Sequence, residues 1–323
     1  MSTQPNVTIL MPMRNAARFV VGAVTSVLAQ EGVTVEILAI DDNSNDGSAG
    51  AVTNLNDARV SVLKSPGNGI AGALNAGLAA ATGRYIARCD ADDWYPEGRL
   101  AKQVAWLESH REFAAICGSY TALDEAGGLI CRMPCGDAAE EITAELRTGV
   151  TRAPLCTYLI DAEAARRVGG FRMFFVTAED IDFQLRLGLE GRVWYDPESV
   201  YDCRLHDASA THTQPSAERL FLEATARRLA GQRAATGSDD LDHGIPFAPP
   251  PDIDSPALSA DEQIQGLLEG EAWRLHASGR RWAALRMGWS ACWRKPNNVA
   301  SWRGLAALLL KNPRPSTRET AST

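Results

Sequence analysis

The sequence predicts an α/β fold, a mostly parallel twisted sheet flanked by helices, followed by a separate α-helical region. Three observations carry this reading. From Val7 to about residue 204, short β-rich runs alternate with apolar residues at helical spacing, which is the rhythm of βαβ units. Residues 233–259 then break the pattern: Asp239, Asp240, Asp242 and Asp254 stand among Pro246, Pro249, Pro250, Pro251 and Pro256, the composition of a linker. Beyond the break, residues 260–310 are helical in pattern and hold five of the eight tryptophans, so the apolar weight of this stretch needs a packing surface.

The elements follow in order. Residues 7–13 read as the first strand. Phe19, Val20, Ala23, Val24, Val27 and Leu28 recur at helical spacing, and residues 35–40 return to a strand. A strand at 60–64, a helix over 70–81, a strand at 85–89, a helix from Pro96 to about 110 and a strand at 114–118 continue the alternation. Gly127-Gly128 inside 121–130 reads as a hairpin turn, which adds an antiparallel element to the sheet. Next come a helix over 138–148, a strand near 156–160, a helix from Asp182 to Leu189, short strands at 193–195 and 200–204, and a helix over about 216–232. The tail, 311–323, reads as disordered.

A chain of 323 residues with 45% hydrophobic and 22% charged residues has room for one large α/β domain plus a smaller region. Its net charge of -8 argues against a nucleic-acid partner, which requires a basic face. Seven scattered cysteines, an odd number, fit a reducing compartment better than a disulfide scaffold, and Cys131 with Cys135 lacks the second pair that a metal clip needs. The first six residues are polar and no run approaches the length of a membrane span. The expectation is a cytoplasmic protein, or one peripheral at the inner face of a membrane.

Two strands end in acidic clusters. Ile40-Asp41-Asp42-Asn43-Ser44-Asn45-Asp46-Gly47 follows the second strand, at the carboxyl edge where ligands of open α/β sheets dock. An aspartate there can accept hydrogen bonds from a base N–H or a ribose hydroxyl, while turn and helix-capping roles explain several of its neighbours equally well. Arg88-Cys89-Asp90-Ala91-Asp92-Asp93 follows the strand at 85–89. Three carboxylates within four residues repel one another, and a divalent cation relieves the conflict. Hard oxygen ligands together with nucleotide phosphates suit Mg²⁺ or Mn²⁺.

Together with Met11-Pro12-Met13-Arg14-Asn15 and the segment Gly67 to Gly77, which contains Asn75, these motifs strongly resemble family 2 glycosyltransferases over residues 7–212. The resemblance implies the GT-A nucleotide-sugar-binding fold with a Rossmann-like N-terminal half, in a domain spanning 1–232 and divided into a nucleotide half, 1–118, and an acceptor and catalytic half, 119–232. It implies that Asp42 binds the nucleobase, Asp90 the ribose or the metal and Asp92 the metal, with Pro12 and Asn15 lining the nucleotide pocket. Asn75, Arg88 and Ser209 join them as donor-site candidates.

Thr177-Ala178-Glu179-Asp180-Ile181-Asp182 opens an amphipathic helix, where acidic residues also suit the helix dipole. Glycosyl transfer needs a base for the acceptor hydroxyl. The family pattern makes that base Asp180, with Glu179 a neighbour able to touch the acceptor. Arg204-Leu205-His206-Asp207-Ala208-Ser209 is similar to a segment that returns to the diphosphate in relatives, so His206 is expected at the metal or the phosphate, against the ordinary structural role of a lone histidine.

The resemblance therefore implies an inverting, metal-dependent transfer of a single sugar from a nucleotide-diphosphate sugar to a glycan, lipid-linked or protein acceptor, in bacterial surface polysaccharide or glycan assembly. No Gln-x-x-Arg-Trp follows the base motif, which argues against processive synthesis. Two alternatives remain: a nucleotidyltransferase of similar fold, although Arg14 and Arg18 are sparse for a triphosphate loop, and a catalytically silent scaffold acting through its C-terminal helices. Within those helices Gly279-Arg280-Arg281-Trp282-Ala283-Ala284, Ala291 and Pro296 resemble a tetratricopeptide-type pair. One pair cannot bury its own apolar face, so it is expected to pack on the first domain, a second copy or a protein partner, with a membrane surface as the rival.

Overall fold

A computed structural model describes residues 5–207, 209, 216–245, 247 and 259–311. Parts of the expected linker (246 and 248–258) and of the expected disordered tail (312–323) lie outside the described residues. The chain divides into two compact units. The first takes the chain up to Thr121, Arg132–Arg204 and the described part of 215–255; the second takes Ala122–Cys131 and the described parts of 205–214 and 256–323.

Four parallel strands form the N-terminal half of the sheet: β1 (Val7–Met13), β2 (Val35–Asp41), β3 (Val60–Lys64) and β4 (Tyr85–Arg88), in the order β3-β2-β1-β4. Successive side chains alternate between two cores, as strand geometry requires. Val7, Ile9, Met11, Ile37 and Ala39 enter one core, which α1 (Val20–Leu28) and α4 (Arg99–Ser109) close with Val20, Val24, Val27, Leu100 and Leu107. Leu10, Leu38, Ile40 and Ile86 enter the other, closed by α3 (Gly69–Ala80) through Ala73, Leu74 and Leu78. A sheet covered on both faces reads as unbroken apolar runs, which is why these strands stand out in the sequence. A short helix, α2 (Ser48–Thr53), follows the acidic turn after β2.

The other half of the sheet is antiparallel. It comprises β5 (Phe113–Leu123), β6 (Leu129–Met133), β7 (Glu140–Glu141), β8 (Leu159–Asp161) and β9 (Arg192–Arg204), and the order continues β4-β8-β5-β9-β7, with β6 beside β5. The expected hairpin is present: Asp124 N donates to Gly128 O at 2.8 Å. The two short strands expected around residue 197 are one strand, β9, carried through Asp196-Pro197-Glu198. Gly118 of β5 permits the approach, since a Cβ there would stand 2.7 Å from Glu198 O.

Between the strands lie α5 (Thr143–Arg147), α6 (Ala162–Arg167) and α7 (Glu179–Glu190), followed by α8 (Ser216–Thr236). The Asp161 side chain caps α6 by accepting from Glu163 N and Ala164 N. In the second unit, α9 (Ala260–Ala277), α10 (Arg281–Arg294) and α11 (Val299–Leu310) pack on one another, and a Ser259–Glu262 capping box starts α9.

Candidate active site

The parallel strands fix where the acidic clusters emerge. Register pairs Met13 with Asp41 and Leu10 with Arg88, so β1, β2 and β4 deliver Asp42 and the Arg88–Asp93 segment at one edge of the sheet. Asp42 N donates to Met13 O at 2.9 Å, which holds its carboxylate beside β1. That side chain is buried, and Oδ1 has no hydrogen-bond partner among the described residues. A buried acceptor left empty is costly, so the position calls for an incoming N–H or O–H. Pro12 lies on β1 opposite Ile40. Asn15, at φ 53°, accepts from Asn45 N at 2.9 Å and donates from its own N–H to Ser44 Oγ at 3.0 Å, so it shapes the turn after β2.

At the end of β4, Arg88 clamps Asp90: Nε donates to Oδ1 at 2.6 Å and Nη2 to Oδ2 at 3.2 Å. Its third nitrogen, Nη1, donates to Glu179 Oε1 at 3.1 Å. The Asp90 N–H donates to Tyr201 Oη at 3.0 Å, and the Tyr201 hydroxyl in turn donates to Asp93 Oδ2 at 2.8 Å. Asp93 also accepts from Arg204 N at 2.7 Å, so this buried carboxyl ties the acidic loop to the end of β9. Burial pushes the Asp93 carboxyl well up, and the charges of Asp92 and Asp90 push it further. Asp92, between Asp90 and Asp93 in sequence, is half-buried.

Glu179 and Asp180 sit in the first turn of α7, three residues earlier than the helix read from the sequence. The chain enters the helix through Ala178 in the left-handed region, φ 62°, with no side-chain cap. A non-glycine residue is rare there, and strain of this kind clusters where side chains must be aimed. Burial pushes the Glu179 carboxyl up to about 7, the neighbouring Asp180 charge adds to the rise, and Arg88 pulls it back. Asp180 is raised as well, by burial first, with Arg88 and its hydrogen bond from Ile181 N opposing.

Asp180 lines an open cleft of about 390 Å³ with Tyr120, Met133, Arg152, Ile181 and Gln184. Gln184, one helical turn after Asp180, is buried with Oε1 unpartnered among the described residues, a feature that the sequence did not signal. The third acid of the motif behaves differently. Asp182 is 1% exposed and lies between Arg172 and Arg186, accepting from Arg186 Nη2 at 2.7 Å. Arg172 Nη1 also donates to Asp239 Oδ2 at 2.7 Å, so the start of the stretch read as linker is anchored in the first unit.

The remaining expected residues divide. Asn75 spends its amide on the backbone of Phe171, donating to the carbonyl and accepting from the N–H, both at 2.8 Å; it fastens α3 to the turn at Gly170. A Cβ on Gly170, whose φ is 77°, would stand 2.6 Å from Asn75 Oδ1. His206 and Ser209 belong to the second unit, where Ser209 N donates to His206 O at 3.0 Å. Ser209 Oγ is buried without a partner among the described residues. Among the described residues no three His, Cys, Asp or Glu side chains gather at metal-ligating spacing. Asp90 and Asp92 are the carboxylates of this loop whose chemistry suits Mg²⁺ or Mn²⁺, ions that take one or two protein carboxylates and complete their shell with phosphate and water.

Comparison with known proteins adds three findings. A family model described as glycosyl transferase family 2 matches residues 8–147. EpsE of Bacillus subtilis strain 168, which carries a glycosyltransferase description, is 32% identical over 213 residues, covering 63% of this chain and 74% of its own. Two solved structures share the fold. Residues 1–349 of S. aureus TarS with UDP-GlcNAc give a TM-score of 0.58 at 13% identity, over 94% of this chain and 91% of that one. The mannosyltransferase PcManGT of Pyrobaculum calidifontis, in complex with GDP-Man and Mn²⁺, gives 0.51 at 19% identity, over 96% and 88%.

Proposed function

The chain belongs to the family 2 glycosyltransferases, and from that premise we propose that it transfers one sugar from a nucleotide-diphosphate sugar to an acceptor hydroxyl, inverting the anomeric centre. The setting we propose is cytoplasmic assembly of a bacterial surface polysaccharide or glycan, on a glycan, lipid-linked or protein acceptor. One observation carries the reading. Arg88 joins the acidic loop after β4 to the first turn of α7, and Asp180 in that turn lines the open cleft. Donor-side and acceptor-side carboxylates are thus parts of one connected arrangement.

In this mechanism the unpaired Asp42 oxygen accepts from the nucleobase, and Pro12 and Asn15 border the nucleotide pocket. Asp180 takes the proton of the acceptor hydroxyl as that oxygen attacks the anomeric carbon opposite the departing diphosphate. Burial raises its carboxyl above the ordinary aspartate value, which makes it a better proton acceptor than a solvated aspartate. Glu179, tied to Arg88, keeps Asp180 at the cleft and borders the acceptor. Asp92 and Asp90 would hold Mg²⁺ or Mn²⁺. A cation held there would offset the negative charge that develops on the diphosphate.

The test is release of nucleoside diphosphate from a panel of UDP-, GDP- and dTDP-sugars with Mn²⁺, Mg²⁺ or EDTA. The proposal expects one donor class to turn over, EDTA to stop it, and Asp92→Ala to lower the rate by roughly two orders of magnitude. Full activity in EDTA contradicts the metal, and no turnover of any donor contradicts the transfer.

A further inference from the structure

Helices α9, α10 and α11 satisfy one another along one side of α10 only. The seam is built from small and aliphatic residues: Ala272, Ala284, Gly288, Ala291 and Leu308 are buried there. Gly288 is needed for the close approach, since a Cβ would stand 3.0 Å from Leu308 Cδ1. The large residues of α10 are elsewhere. Trp282, Trp289 and Trp293 follow at i, i+7 and i+11, with Arg286 at i+4, so all four share one stripe of the helix. The stripe faces solvent: Trp282 is 86% exposed, Trp289 51% and Trp293 61%, and Arg286 is exposed between them. Trp289 packs its ring edge-on against Trp293 and against Trp302 of α11, with centroids 6.1 and 5.8 Å apart, which gathers the indoles into one patch.

Helical periodicity of large apolar residues ordinarily marks the side that a helix buries. Here the small residues take most of the internal contact and the three tryptophans of α10 remain largely exposed. Charge indicates the occupant. Residues 259–311 carry eight Lys and Arg against four Asp and Glu, in a chain whose net charge is -8. A second copy stacked on the same stripe would bring Arg286 against Arg286 in a like-charged face. An anionic lipid surface meets both demands: indoles settle at the boundary between headgroups and acyl chains, and guanidinium groups reach the phosphates. No described helix is long and apolar enough to cross a membrane, so the contact lies in the plane of the surface.

We propose that the Trp282–Arg286–Trp289–Trp293 stripe of α10 docks this protein on an anionic lipid surface. This goes beyond sugar transfer and does not depend on it. The test is co-sedimentation of the full chain with vesicles of phosphatidylglycerol and phosphatidylethanolamine, compared with phosphatidylcholine alone. The expected result is binding to the anionic vesicles at least roughly tenfold tighter, weakened by salt. The variant with Trp282 and Trp293 each changed to Ser should lose most of that binding while keeping its melting temperature, because these are the two most exposed indoles of the stripe and Trp289, which packs on Trp302 of α11, is retained. Should that variant misfold, vesicles with brominated acyl chains decide the matter on the wild-type protein: tryptophan quenching supports the proposal and its absence overturns it. Equal sedimentation of the folded double variant overturns it as well, as does a concentration-dependent dimer that the same substitutions dissolve.

Discussion

Arg88 donates from Nη1 to Glu179 Oε1 at 3.1 Å, joining the end of β4 to the first turn of α7 across 91 residues of sequence. The same guanidinium grips both oxygens of Asp90. Arg88→Met would leave two carboxylates facing each other in a largely buried place, with Glu179 only 6% exposed in its side chain. The expected cost is ~3 kcal/mol, read from urea unfolding, together with loss of turnover. Arg88→Lys should recover part of the stability but not the two-sided grip, since an ammonium lacks the planar fork.

The raised Glu179 carboxyl makes stability depend on pH in a definite direction. Its ordinary value is 4.5 and its value in the fold is about 7, so between these the folded chain holds a proton that the unfolded chain has released. Stability from this group is greatest below pH 4.5 and falls as pH rises to 7, by up to about 3 kcal/mol, then stays level. Glu179→Gln cannot ionise. Thermal melts of wild type and variant between pH 5 and 8 should show a slope in the wild type that flattens in the variant; equal slopes contradict the assignment.

Asp182 and Asp180 stand two residues apart and should respond differently. Asp182→Ala leaves Arg172 and Arg186 facing each other without their shared partner, and Arg186 is itself 7% exposed in its side chain. A loss of about 3–5 kcal/mol is expected, a large share of the roughly 5–15 kcal/mol that holds an ordinary domain folded. A soluble Asp182→Ala protein with an unchanged melting temperature contradicts the structural role.

Much of this site was legible in the sequence because its parts are local. Asp42, the run Asp90 to Asp93 and the pair Glu179-Asp180 each follow a strand or open a helix within a few residues, and their order along the chain is what resembles the family. What was not legible depends on partners far apart in sequence. The amide of Asn75 is taken by Phe171, 96 residues away, and Arg172 reaches Asp239 across 67, so neither pairing leaves a local period to read. The strand read near 156–160 is the three-residue β8, but its antiparallel pairing between β4 and β5, which turns the sheet from parallel to antiparallel, leaves no local sign. Asp196-Pro197 reads as a turn from local propensity, whereas pairing across β9 carries the strand through it, a case of tertiary contacts overriding propensity.

In the proposed mechanism Asp180 takes the proton of the acceptor hydroxyl. Asp180→Asn preserves the shape of the carboxyl at the cleft and removes its basicity. The measurement is a pair of readings on this variant: the donor-induced rise in melting temperature, and sugar transfer to an acceptor that the wild-type protein uses. If Asp180 is the base, the donor-induced rise stays within about 1 °C of wild type and transfer falls by roughly three orders of magnitude. Transfer near the wild-type rate, with the donor bound normally, would contradict it.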